Sequence, residues 1–171
     1  EPHVTRIVSR FGSSLVSAYV DKGRPVRVKY EVIEGADPLD YVKEPALAGF
    51  ISEGYHDERE WLSETVKTHY PDAPVQIAQI MENPRSGSVI IVPYDHHSFN
   101  ARTWEKHGGF SAGDMLTTFA AAGPGIRKGT IEYSRTVDFV PTFLHLMGRD
   151  VEEECFDGII LHDIEANTNK R

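Results

Sequence analysis

Cysteine is nearly absent from this sequence: Cys155 is the only one. That excludes an intrachain disulfide and a thiolate zinc cluster. It also tilts the localisation, which stays open, slightly toward a reducing compartment such as the cytoplasm. No apolar run approaches the ~20 residues that a membrane-spanning helix needs, so a membrane is not an expected partner. Basic residues are outnumbered, 18 Lys and Arg against 26 Asp and Glu, and the formal net charge is −8. With no basic cluster, nucleic acid is not an expected partner either. An acidic balance does not exclude a phosphate ester, because a bound metal ion can dominate the field of its own site. An initiator Met is missing as well; the chain opens at Glu1-Pro2, which fits a fragment or a processed chain.

What is present is ordinary globular sequence, with 40% hydrophobic and 26% charged residues in a length of 171. That length suits one domain with a real core. Val4 to Arg10, Leu15 to Val20 and Arg24 to Ile33 read as strands, separated by Gly12-Ser-Ser and by the turn Asp21-Lys-Gly23-Arg-Pro25. In the third, Val26, Val28, Tyr30 and Val32 alternate with Arg27, Lys29 and Glu31, the period of a half-buried antiparallel strand. A small meander over residues 1–36 follows. Beyond Gly35-Ala-Asp37-Pro38-Leu39 the character changes. Residues 44–50 suggest a short helix. From Asp57 to Tyr70, Trp61, Leu62, Thr65, Val66 and Tyr70 recur at helical spacing, and acidic residues sit at the start, where the helix dipole favours them. Ala73 to Met81 reads as a second short helix. Ser88-Val-Ile-Ile-Val-Pro93 reads as a buried strand from its unbroken apolar run, and Met115 to Ala122 as another. A helix is expected from Asp138 to Met147, with Asp138 as N-cap, Pro141 in the first turn, an apolar stripe of Val140, Phe143, Leu144 and Met147, and Gly148 as the stop. The fold class is therefore α/β, with residues 37–165 as the α/β part and 166–171 as a frayed tail.

The residues with chemical potential are mostly histidines. His107 lies in Trp104-Glu-Lys-His107-Gly108-Gly109-Phe110-Ser111, where two glycines let a ligand or a backbone approach closely. Asp95, His96 and His97 follow the run at 88–93. Asp95, His96 and His107 together would make a chemically sensible zinc set. Asp114 is a candidate partner to a ligating histidine, and Arg102 and Lys106 are candidate phosphate contacts. The expected roles of the others are structural: Asp57 and His56 as cap and surface residues, His69 at a helix end, His145 within the last helix. No catalytic nucleophile is expected. Gly12-Ser13-Ser14 sits between strands, and no phosphate-binding Gly-x-x-x-x-Gly-Lys-Ser/Thr loop is present.

Three segments occur in a fixed order: the His107-Gly108-Gly109 loop, then Ala120-Ala-Ala-Gly123-Pro124-Gly125-Ile126, then Thr136-Val-Asp138-Phe-Val-Pro141-Thr142 running to Gly148. This order resembles the C-terminal part of hydrolases of the alkaline phosphatase superfamily, of the phosphodiesterase or nucleotide pyrophosphatase kind. The resemblance extends to Gly35-Ala-Asp37-Pro38-Leu39, the Glu60-Trp61-Leu62 helix, Tyr70-Pro-Asp-Ala and Arg85-Ser-Gly87. It implies the C-terminal part of an α/β sandwich with a mixed sheet, to which this chain adds a meander, sheet strands and a C-terminal helix. It implies a two-metal site, most simply zinc, with His107 as one ligand and a small phosphate ester as substrate. In one alignment Asp95 and His96 supply the second metal's Asp-His pair, although no Gly follows His96. In another that pair lies upstream, and 95–97 is a polar loop near the site. The family's nucleophile lies on an N-terminal catalytic part that this sequence does not contain, so the chain reads either as a single domain or as the C-terminal segment of a larger one. Two other readings stay open: a non-catalytic binding or structural module, and a self-contained zinc site of Asp95, His96 and His107.

Overall fold

Residues 1–21, 24–93, 97 and 109–166 are described by a computed structural model. The chain divides into two units, Glu1–Thr117 and Thr118–Arg171. The first begins with the expected meander. Strands β1 (His3–Val8), β2 (Gly12–Asp21) and β3 (Arg24–Gly35) pair antiparallel in the order β1-β2-β3. Val16 stands opposite Tyr30 and Ala18 opposite Val28, so period-two patterning puts all four on one face, each at most 2% exposed. Val26, on the same alternation, is 42% exposed, because the buried part of the face stops short of the turn. Gly35 closes the meander with φ +67, and a Cβ there would overlap the Phe11 carbonyl, so only glycine fits.

Helices α1 (Pro45–Ser52), α2 (Glu58–Thr65) and α3 (Ala73–Glu82) pack on that face. Each start is written locally. Pro45 opens α1, where its missing N–H costs nothing. Asp57 caps α2 as expected, accepting from the N–H groups of Arg59 and Glu60 at 2.8 and 2.9 Å, while Glu60 accepts from Asp57 N at 2.9 Å. That is a reciprocal capping box. Before α3, Asp72 takes a left-handed backbone, φ 58, and its N–H donates to Thr65 Oγ1 at 2.8 Å. The core centres on Trp61, Tyr30 and Tyr41, all at most 1% exposed. The indole N–H donates to the Val28 carbonyl at 2.8 Å, and edge-on contacts join Tyr30 to Tyr41 and Phe50 to Trp61 at 5.5 and 5.0 Å, the geometry aromatic quadrupoles favour.

Two expected strands do not form. Residues 88–93 carry no sheet pairing, and Val89 and Ile91 are 77% and 73% exposed. Residues 112–115 form the short helix α4 (Ala112–Met115), and 116–122 are irregular. An apolar run fits a strand only when a neighbour takes its N–H and C=O groups, and among the described residues β1 to β3 are the only strands.

The second unit contains the expected C-terminal helix, α5 (Phe139–Leu146), entered through a 3-10 turn at Thr136–Asp138. Its end is a Schellman motif: Gly148 has φ 70, Gly148 N donates to His145 O at 2.8 Å, and Arg149 N donates to Leu144 O at 3.1 Å. Two expectations are corrected. The expected apolar stripe is largely solvent-facing, with Val140, Phe143 and Met147 50%, 52% and 57% exposed and Leu144 half-buried, while the buried helix residues are Pro141 and Thr142. Asp138 has helical backbone and makes no side-chain cap to the helix. It is fully buried instead, and its carboxylate accepts from Arg135 N at 2.7 Å and from Ile159 N at 3.0 Å. A buried polar side chain is tolerated when its hydrogen bonds are made.

Candidate metal ligands and their surroundings

Asp95, His96 and His107 lie outside the described residues, as do Arg102, Trp104 and Lys106. His97 is described and exposed. Gly109 and Phe110 are the first described residues after His107. Gly109 N donates to Asp114 Oδ2 at 3.0 Å, and a Cβ at Gly109 would overlap that carboxylate. A side chain at the second glycine of the His-Gly-Gly segment would have to displace the exposed Asp114 carboxylate. Phe110 packs against the core of the first unit, and Ala112 N donates to His69 O at 2.7 Å. Asp114, expected as a partner to a ligating histidine, fixes the backbone two residues beyond His107.

The expectation of no nucleophile overlooks one pattern. Gly109-Phe110-Ser111-Ala112-Gly113 has the spacing of a nucleophile elbow. The geometry is not that of an elbow: Ser111 has φ −71 and ψ 156, an unstrained extended backbone, and the two described residues before it, Gly109 and Phe110, are not in a strand. Ser111 is 6% exposed and stands at the head of a four-residue helix.

The Gly35–Leu39 segment is structural. Asp37 is buried, and its carboxylate accepts from the Tyr30 hydroxyl, from Leu39 N at 2.9 Å and from Val42 N at 2.9 Å. Burial first, and then the Asp37 hydrogen bond, push the Tyr30 phenol far above its usual range. Burial does the same to Tyr41, whose hydroxyl donates to the Tyr70 carbonyl. His56, expected at the surface, is 7% exposed. Its backbone bridges to Val28 at 2.8 and 3.0 Å, its ring stacks on Phe50 at 3.7 Å, and its Nε2 lies 2.6 Å from the Phe50 carbonyl.

In the second unit the fold brings together three residues that are scattered in the sequence. His145, near the C-terminal end of α5, meets His162 and Glu165 from the turn at 162–164. Glu165 Oε1 lies 3.2 Å from His145 Nε2 and 2.5 Å from His162 Nδ1. The two imidazole rings meet edge to face at 5.2 Å. Only the His162-x-x-Glu165 spacing was readable beforehand; His145 joins through tertiary packing.

No protein-family model, no curated protein and no solved structure matches this chain.

Proposed function

We propose that the chain is the C-terminal segment of a metal-dependent phosphate-ester hydrolase of the alkaline phosphatase superfamily, of the phosphodiesterase or pyrophosphatase kind. The observation that carries this reading is the order of three segments: His107-Gly108-Gly109, Gly123-Pro124-Gly125, and Val137-Asp138 running through Pro141-Thr142 to Gly148. Two structural features support it. Two residues beyond His107, Gly109 N donates to the Asp114 carboxylate. The face of α5 bearing Phe139, Val140, Phe143 and Met147 is between 49% and 57% exposed, as expected for a helix that a larger sandwich covers.

In this reading His107 holds one zinc ion, and Asp95 and His96 are the candidates for further ligation. Imidazole and carboxylate donors suit zinc. Zinc held there neutralises charge on the phosphoryl oxygens and acidifies the attacking oxygen. The nucleophile comes from an N-terminal catalytic part, and the substrate is a small phosphate ester.

The test is hydrolysis of bis(p-nitrophenyl) phosphate by the protein expressed from its complete gene. Turnover should vanish on chelation, return with zinc, and be absent in a folded His107→Ala variant. Turnover that resists chelation, or survives in that variant, contradicts the reading.

A further inference from the structure

We propose that His145, His162 and Glu165 form a binding site for one divalent transition-metal ion, zinc by the chemistry of its donors. None of the three belongs to the ligand set expected around His107. Two imidazole nitrogens and one carboxylate oxygen are a known zinc set that leaves a fourth position for water. The donor atoms all lie within 4.8 Å of one another. Ligand bonds of ~2.0–2.2 Å in a tetrahedron place donor atoms about 3.3–3.5 Å apart. The separation of 3.2 Å between His145 Nε2 and Glu165 Oε1 is already close to that. The 2.5 Å contact between His162 Nδ1 and Glu165 has to lengthen to the same value when a metal ion binds.

The backbone around these side chains is fixed independently of them. Asp138, Thr142 and His145 follow one another at helical spacing, so they share a face of the helix and its entry turn. The first two lace the 159–161 segment to that face: Asp138 accepts from Ile159 N at 3.0 Å, and Thr142 Oγ1 accepts from Leu161 N at 2.9 Å. That sets His162 beside His145. The turn bearing Glu165 is pinned by a second set of bonds, Arg127 N to Ile164 O at 2.9 Å and Ala166 N to Gly125 O at 2.7 Å. His145 stands in the last turn of α5, where the helix dipole favours a cation. The His162 side chain is 65% exposed, so an ion and its water ligand can enter from solvent.

The experiment is zinc content of the full chain after equilibrium dialysis against zinc. It is run on the wild type, His145→Ala, His162→Ala and, as a reference, His107→Ala, with far-ultraviolet circular dichroism confirming the fold of each. Replacing the exposed His162 does not threaten folding. His145→Ala and His162→Ala should each lose about one equivalent of zinc, and cobalt loaded in place of zinc should give a visible absorption band that His162→Ala removes. His107→Ala should keep that equivalent and that band, whatever it does to any other zinc. Failure of the hydrolase reading would leave the zinc losses of His145→Ala and His162→Ala unchanged. Wild-type protein without zinc, or a His162→Ala variant with undiminished zinc and an unchanged cobalt band, overturns the proposal and leaves a carboxylate shared by two imidazoles.

Discussion

At the residue scale the decisive groups are buried polar side chains bound to backbone. Asp138 is fully buried and receives two backbone amides. A buried donor left without its partner costs about 1–3 kcal/mol, so Asp138→Ala, which strands two amides, should destabilise the second unit by about 2–6 kcal/mol. The measurement is amide hydrogen exchange, in which Ile159 should lose its protection while Val28, in the first unit, keeps it. Tyr30 and Tyr41 should stay protonated well above the ordinary phenol range near 10, because burial raises both. Unfolded tyrosines release their protons near pH 10, whereas these hold theirs while folded. Stability is therefore flat below that pH and falls above it. Phenolate absorbance should show both tyrosines ionising only together with unfolding. The residue scale was also the least legible in sequence. Asp57 was legible as a cap because it directly precedes the helical spacing. His56 and Asp138 took roles set by partners far along the chain, Val28 and Ile159, which no local pattern reveals.

At the scale of elements, legibility follows locality. The meander came from alternation and glycine turns, and α2, α3 and α5 came from helical spacing with a cap, a proline or a glycine at the ends. The apolar runs at 88–93 and 115–122 failed as strands because hydrophobicity says nothing about a partner edge. The stripe on α5 was real as a pattern but is largely solvent-facing. Trp61 anchors the packing of α2 on β3 through its ring and its bond to Val28 O, so Trp61→Ala should cost about 3–5 kcal/mol, read by urea unfolding followed by circular dichroism. The His145, His162 and Glu165 cluster belongs to this scale too. It joins a helix end to a turn, and Thr142 positions it by receiving Leu161 N. Thr142→Val should weaken zinc binding by loosening the 159–161 segment that sets His162, and Thr142→Ser should restore it.

For the whole molecule, the two units have different characters. The first has an aromatic core between a meander and three helices. In the second, Asp138 and Thr142 receive backbone amides of the 159–161 segment, and the apolar face of α5 is exposed. The α/β character was legible in the sequence, while a larger sandwich around these units remains the proposal. Its chemistry rests on the loop of His107. The most direct measurement is a native mass with metal analysis on the protein expressed from its complete gene, wild type beside His107→Ala. The account predicts zinc beyond the equivalent held by His145, His162 and Glu165 in the wild type, and loss of that additional zinc, with an unchanged fold, in the variant. Equal zinc in the two proteins would contradict it.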